Sequence, residues 1–474
     1  MNAAVQHPGA SGPAETVNEL IARARAAQRI YDGYDQQRVD EVVTAAGWAI
    51  VNPQNNRELA RRAVADTGLG NVADKELKNR RKTIGLLRDL KDAKSVGVIA
   101  EHPELGLIEI ARPVGVVGAV TPSTNPAATP ANNILNALKG RNAIIVAPSP
   151  KGQSTCTLLL EYVHRELQRV GAPPDLVQQL PAPVTKASTA ALMARVDLIV
   201  ATGSQSNVRA AYSSGTPAIG VGAGNVAVIV DETADLADAA AKIAASKTFD
   251  NATSCSSENS VVVVDAVYDA MLGQLAERGG RLLPQAAKAK LQQAMWPDGK
   301  LSPHVLAKSA DEILQVAGIG STAASCRFLM VEETGAGPQH PFSGEKLSPV
   351  LTVYRAKDFA NACEIVRAIY AYQGAGHSLG VHTRDAARPL QLGLELPVCR
   401  VIVNQAHCFA TGGSFDNGLP FSLSMGCGTW GRNSISDNLN YRHFLNITRV
   451  SRPIPPIEPT EDELFGAYRR KYGT

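Results

Sequence analysis

The run Thr248-Phe249-Asp250-Asn251-Ala252-Thr253-Ser254-Cys255-Ser256-Ser257-Glu258-Asn259 sets one thiol among small polar residues. It follows an Ala-rich helical stretch and precedes the apolar run Ser260-Val261-Val262-Val263-Val264, so it reads as a connection. A thiol there is a candidate exposed nucleophile, since loops on a rigid scaffold carry reactive groups and the thiolate is the reactive form. Its chemistry would be capture of an electrophilic carbon as a covalent adduct on sulfur. Most free cysteines behave as small hydrophobes, and Cys255 taken alone allows that reading. Polar and titratable residues in distinctive short runs lie far away in the chain: Asn125 before Pro126, Glu345 before Lys346-Leu347-Ser348-Pro349, and His377 in Gln373-Gly374-Ala375-Gly376-His377-Ser378. Each also has an ordinary reading. Asn-Pro is turn chemistry, a surface glutamate is solvated, and a histidine opening a strand bonds to backbone.

The elements that must gather these groups follow from periodicity. From about Glu15 to Leu90 apolar residues recur at three-four spacing, which predicts helices. Ile108 to Gly118 reads as one strand. Strands at Ala143–Ala147, Leu198–Ala201 and Val226–Asp231 then alternate with helices such as Ala127–Lys139, which stops at Gly140. A second alternating region carries strands at Val261–Val264, Val350–Tyr354, Leu379–His382 and Arg400–Val403. Continuous β-branched runs alternating with amphipathic helices predict an α/β fold with parallel sheets covered on both faces. Ligands then sit beyond the carboxyl ends of the strands, here the turns after Ala147 and Ala201.

The bulk values exclude several classes. A chain of 474 residues is too long for one core. A net charge of +3 with scattered Lys and Arg argues against a nucleic-acid surface, leaving room for a local pocket that holds a phosphorylated cofactor. No apolar run reaches the length of about eighteen residues that a membrane span needs. The seven cysteines are odd in number and lack Cys-x-x-Cys spacing, which favours reduced thiols in a cytoplasm. His377 and His382 are spaced poorly for a shared metal, so no metal is expected. Residues 1–14 read as a short disordered lead, not a secretory signal.

Five runs, in order, resemble the aldehyde dehydrogenase superfamily in its CoA-acylating branch. They are Thr121-Pro122-Ser123-Thr124-Asn125-Pro126, Ala218-Ile219-Gly220-Val221-Gly222-Ala223-Gly224-Asn225, the Cys255 loop, Glu345-Lys346-Leu347-Ser348-Pro349, and Met425-Gly426-Cys427-Gly428-Thr429-Trp430-Gly431. The resemblance implies an aldehyde dehydrogenase-like fold, two parallel α/β domains plus an oligomerisation arm. The expected boundaries are 15–247 for cofactor binding with an arm near 105–118, 248–429 for catalysis, and 430–474 for a return segment and oligomerisation tail. It implies that Cys255 attacks an aldehyde carbon and that Asn125 and the Cys255 N–H stabilise the oxyanion. His377 would take a thiol proton, being near neutral at working pH, or would merely bond to backbone. Glu345 would hold the nicotinamide ribose. Hydrolytic members activate water with a glutamate in a Glu-Leu-Gly-Gly-Lys run. The matching place here, Gly220 to Asn225, has no carboxylate, so a thioester on Cys255 would persist until a thiol such as coenzyme A takes the acyl group.

The cofactor-binding residues expected are Ser149, Lys151, Gly203, Ser204, Gly222 and Glu345. Ser149 and Lys151 stand where NAD-preferring relatives carry an acid, which favours NADP, with NAD possible; Lys151 also reads as a solvated turn lysine. An anionic aldehyde needs a fixed cation near the thiol, and Arg432 and His407 are the candidates, although Arg432 equally suits an interface ion pair. The resemblance implies sulfoacetaldehyde and its acyl-CoA as the small-molecule pair, with acetaldehyde and succinate semialdehyde as alternatives. A hydrolytic dehydrogenase and an inactive scaffold are the remaining readings. A homodimer or homotetramer is expected through the arm and the tail.

Overall fold

The computed structural model describes residues 12–222, 224–320 and 326–473. The expected lead lies outside them up to residue 11, and Pro13 and Ala14 already belong to a helix. Four helices follow: α1 (Pro13–Asp32), α2 (Gln36–Val51), α3 (Pro53–Thr67) and α4 (Val72–Leu90). Short polar residues start three of them. Asp35 accepts from Arg38 N–H at 2.8 Å, Asn52 from Gln54 N–H at 3.1 Å, and Asn71 from Asp74 N–H at 2.9 Å. Each bond satisfies an amide that no helical carbonyl can reach.

The stretch read as one strand from Ile108 is two strands in different sheets. β1 (Gly97–His102) and β2 (Leu107–Pro113) form an antiparallel arm, completed by β15 (Leu445–Ser451), which pairs along the whole of β2. β3 (Val116–Val120) belongs to the first parallel sheet. Between them Gly115 takes a φ of 122°, open to glycine, and a side chain there would strike Asp197. The Asn142 side chain accepts from Val114 and Gly115 N–H at 2.8 and 3.0 Å and secures the break.

The first parallel sheet adds β4 (Ala143–Ala147), β5 (Val177–Gln179), β6 (Leu198–Thr202) and β7 (Ala218–Val221) in the order β5-β4-β3-β6-β7. The second contains β8 (Val226–Val230), β9 (Glu258–Val264), β10 (Gly280–Leu282), β11 (Phe328–Glu332), β12 (Val350–Ala356), β13 (Leu379–His382) and β14 (Val401–Val403), ordered β10-β11-β12-β9-β8-β13-β14. Successive residues of β8 serve opposite faces. Val226, Val228 and Val230 pack with the helix Leu236–Thr248, while Ala227 and Ile229 pack with the helix Phe359–Tyr372. The second sheet therefore begins at Val226, upstream of the expected boundary at 248.

This topology brings opposite edges together. β7 ends at Val221 and β8 starts at Val226, and both run parallel to their neighbours. The chain passes from the carboxyl edge of the first sheet to the amino edge of the second within about 17 Å of extended backbone. The helices α5 (Ala128–Lys139) and α6 (Gln153–Arg169) cover the first sheet with α1 and α2.

α4 runs beside this junction, and Gly85 seats it against the buried ring of Phe421, where an added methyl would overlap the ring. Alanine is the better helix former by about 1 kcal/mol. Gly85→Ala is nevertheless expected to lower the unfolding free energy by ~1–3 kcal/mol in urea denaturation, because overpacking outweighs propensity. A gain in stability would mean that α4 is not seated on Phe421.

Candidate active site

The thiol loop starts from a strained turn. Asp250, Asn251 and Ala252 all take left-handed φ values, 51°, 50° and 57°. Such a conformation costs roughly 1–2 kcal/mol for each residue with a side chain, least for Asp and Asn. Asp250 holds it. Its carboxylate accepts from Lys75 Nζ at 3.0 Å, Lys78 Nζ at 2.5 Å, Thr253 Oγ1 at 2.6 Å and Asn71 N–H at 3.0 Å. Its own N–H donates to Asp74 Oδ2 at 2.7 Å. Burial opposes the charge of Asp250, but Lys78 and Lys75 outweigh it and hold the carboxyl below the usual carboxylate range. Lys75 falls to about 8, through burial first and then the like charge of Lys78.

Lys78 makes one more bond, to Asn125 Oδ1 at 2.9 Å. Asn125 lies in the turn after β3, and its carbonyl accepts from Thr129 N–H at 3.2 Å as α5 begins. Its backbone thus serves the turn and its side chain is held by Lys78. The amide Nδ2 has no partner among the described residues and remains a donor, which suits an oxyanion.

Cys255 sits half-buried between this turn and the start of β9. Burial pushes its thiol up to about 12, and the Glu345 carboxyl adds to the rise. The exposed thiol expected from the sequence is therefore a sheltered one, protonated at neutral pH. Gly224, in the crossing between the sheets, packs on the Cys255 backbone so tightly that a side chain there would strike its carbonyl. Asn225 ties the crossing to two other loops, donating to Ser343 O at 2.8 Å and Gln373 O at 3.0 Å. Gln373 Oε1 accepts from Glu345 N–H at 3.1 Å.

The crossing carries no carboxylate, as read, but Glu345 does approach the thiol from another loop, which the sequence reading did not foresee. Burial raises Glu345 to about 8, against the Gly224 N–H that favours its charge, and Oε1 is buried without a partner. Cys255, Glu345 and His377 precede β9, β12 and β13, so all three stand at the amino edge of the second sheet. The other candidates stand at the carboxyl edge of the first. Ser149 follows β4 and caps the turn by accepting from Gly152 N–H at 3.3 Å, beside exposed Lys151. Gly203 and Ser204 follow β6, and Gly222 follows β7. A side chain at Gly222 would strike Gln205.

Two expectations fail on charge or place. His407 is buried, its Nδ1 lies 2.9 Å from Ser256 O and 2.8 Å from Thr411 Oγ1, and burial lowers it to about 4. It is neutral and props the thiol loop; it is no fixed cation. Arg432 is exposed and lines an open crevice with Gln205, Gly222 and Trp430. His377 is also altered: burial first, then Arg400, lowers it to about 3, with Nδ1 2.7 Å from Ser378 Oγ. In this state it accepts a thiol proton poorly. Its loop is strapped by Arg400, which donates to His377 O at 3.1 Å and Gly426 O at 2.9 Å.

Besides Arg400, α4 brings cations near the thiol. Lys78, Arg81 and Lys82 line a narrow cavity with Asn125, Ser254, Phe249, Cys408 and Phe409. Sequence reasoning missed them, although a signal existed. Lys75, Lys78, Lys82, Leu86 and Leu90 share one helical stripe, and the stripe is buried. Lysines at the apolar positions of a helix mark a polar interior.

Residues 4–326 match the aldehyde dehydrogenase family. The chain is similar to a sulfoacetaldehyde dehydrogenase (acylating) of Cupriavidus necator, 63% identical over 465 residues, which cover 98% of this chain and 94% of the relative. Its fold is similar to an acetylating aldehyde dehydrogenase from Geobacillus thermoglucosidasius, with a TM-score of 0.90 and 35% identity, covering 94% of this chain and 98% of that one. It is also similar to a propionaldehyde dehydrogenase of Rhodopseudomonas palustris solved with bound CoA and an acylated cysteine, with a TM-score of 0.81 and 26% identity, covering 93% and 98%.

The coupling of Glu345 to Cys255 has a pH signature. Glu345 is mostly neutral below about 8 and charged above it, where it opposes the thiolate. Glu345→Gln is expected to leave iodoacetamide labelling of Cys255 unchanged at neutral pH and to speed it above pH 8, about tenfold for each pKa unit removed. Peptide mass spectrometry on cofactor-free protein reads this out. Equal rates throughout would place the carboxyl out of reach of the sulfur.

Proposed function

Because the chain belongs to the aldehyde dehydrogenase family, in its acylating branch, we propose that it oxidises a short aldehyde to the acyl-CoA through a thioester on Cys255. Sulfoacetaldehyde is the substrate, NADP⁺ the oxidant, and the reaction is reversible. The observation that carries the acylating reading is the crossing beside Cys255. Gly224 has no room for a side chain, which would strike the Cys255 carbonyl, and no residue from Gly220 to Asn225 bears a carboxylate. Glu345 does not replace a water-activating base there, because its neutral form dominates below about pH 8.

Cys255 first gives up its thiol proton to solvent; Sγ then bonds to the carbonyl carbon, and the carbonyl electrons move onto oxygen. Asn125 Nδ2, aimed by Lys78, donates to that oxygen, and a donor of this kind contributes roughly 3 kcal/mol. Collapse of the oxyanion leaves the thioester, with the hydride that departs from carbon going to the nicotinamide that a bound dinucleotide would supply. The thiolate of CoA then adds to the same carbon, and Cys255 leaves as thiolate. A free thiol needs far less activation than water for this step.

The residues fit a nicotinamide dinucleotide, which when bound supplies the hydride acceptor. Glu345 Oε1 is buried and unpartnered, a ready partner for a ribose hydroxyl. Gly203 leaves backbone open at the carboxyl edge of the first sheet. Lys151 is exposed and in no ion pair among the described residues, which favours a 2′-phosphate and therefore NADP⁺ over NAD⁺. Residues 105–118 and the tail after 430 support a homo-oligomer, since Phe465, Tyr468 and Tyr472 of the tail helix Glu461–Tyr472 are exposed. Seven unpaired cysteines support a cytoplasmic location, and no helix among the described residues is long and apolar enough to cross a membrane.

NADPH formation from sulfoacetaldehyde with and without CoA tests this reading. Turnover is expected only with CoA, faster with NADP⁺ than NAD⁺, and an acyl group on Cys255 accumulates when CoA is omitted. Steady turnover without CoA would select hydrolysis, and inactivity with every aldehyde would select a scaffold.

A further inference from the structure

The cations Lys75, Lys78, Arg81 and Lys82 of α4 outnumber the carboxylates that pair with them. Lys75 and Lys78 share Asp250. Arg81 and Lys82 are in no ion pair among the described residues. Arg81 Nη1 donates to Phe409 O at 3.1 Å and Nη2 to Ser414 Oγ at 2.8 Å, and Lys82 Nζ donates to Gly412 O at 2.6 Å. A guanidinium has five N–H donors and an ammonium three, so both retain unused donors. Aromatic rings wall them in: Phe409 and Phe421 lie 5.3 and 5.7 Å from the Arg81 guanidinium, and Phe421 lies 5.5 Å from Lys82 Nζ. The groups facing this pair are Lys78, Cys408, Asp416 and Cys255; Asp416 is engaged by Ser414 Oγ. A buried cation without a counter-charge is costly, and here burial and the charge of Arg81 lower Lys82 to about 7.

The same cavity holds Asn125 and Ser254, the residue before Cys255. An anion entering it would meet the spare donors of both cations while a carbonyl on the same molecule reached Asn125 and the thiol. On the reading of function above, we infer that Arg81 and Lys82 bind the sulfonate or carboxylate of a short anionic aldehyde and select it over neutral aldehydes. Three sulfonate oxygens suit a guanidinium fork plus an ammonium, and aromatic walls keep water from screening them. The recognition element is thus Arg81 and Lys82 of α4, which line a different cavity from that of Arg432.

The test compares kcat/KM for sulfoacetaldehyde, succinate semialdehyde and propionaldehyde in the full-length protein and in Arg81→Gln, Lys82→Met and Lys82→Arg. The ratio of anionic to neutral substrate is expected to fall by about tenfold or more in the first two, through KM, and to recover partly in Lys82→Arg. Equal losses on anionic and neutral substrates would overturn the inference. Sulfoacetaldehyde and succinate semialdehyde separate a sulfonate from a carboxylate preference, and either preference supports it. A second measurement needs no turnover: ethanesulfonate should slow iodoacetamide labelling of Cys255 in the wild type and not in Arg81→Gln. Absence of protection in the wild type overturns the anion site even if the enzyme acylates CoA. Protection without any acyl-CoA product upholds the site and overturns the proposed reaction instead.

Discussion

One carboxylate, Asp250, organises this site. It joins two lysines of α4 to a turn that no ordinary sequence would hold, three consecutive left-handed residues. Through Lys78 the same contact reaches Asn125, so the proposed nucleophile and the proposed oxyanion donor are tied to a single buried cluster. Pairs of this kind are rarely the most stabilising choice, because desolvation offsets much of the attraction. Their value here is geometric. Apolar packing could bury α4, but it could not orient an amide and fix a strained turn together.

The second constraint is topological. In open α/β sheets ligands usually gather at carboxyl edges. The cofactor residues proposed for the first sheet, Ser149, Gly203 and Gly222, stand at that edge, following β4, β6 and β7. The second sheet offers its amino edge, because the short crossing from β7 to β8 allows nothing else. Cys255, Glu345 and His377 all precede their strands for that reason. Gly224 lets the crossing lie directly on the Cys255 backbone, where a side chain would strike the carbonyl.

Much of this was legible in the chain. Fully buried strands such as Ala143–Ala147 and Val226–Val230 announce themselves as β-branched runs, and the thiol loop stands out by composition. What was not legible depends on contacts between distant segments. The break at Gly115 rests on Asn142 and Asp197, which no local pattern reveals. The neutrality of His407 and His377 comes from burial, which a histidine at a strand end does not betray. Glu345 meets the thiol across 90 residues of chain. The lysines of α4 were visible, but a basic stripe is ordinarily a solvated face, and only Asp250, far along the sequence, turns it inward.

The thiol at rest is a poor nucleophile, pushed up by burial and by Glu345. Catalysis therefore depends on positioning more than on a reactive resting state, and positioning runs through Asp250 and Lys78. A double-mutant cycle on kcat/KM with Asp250→Asn and Lys78→Met measures that dependence directly. Each single change is expected to cost about 10²–10³-fold, and the double variant is expected to lose little beyond the worse single one, because both break one device. Losses that multiply in the double variant would contradict the account, since the lysine and the aspartate would then act on the reaction separately.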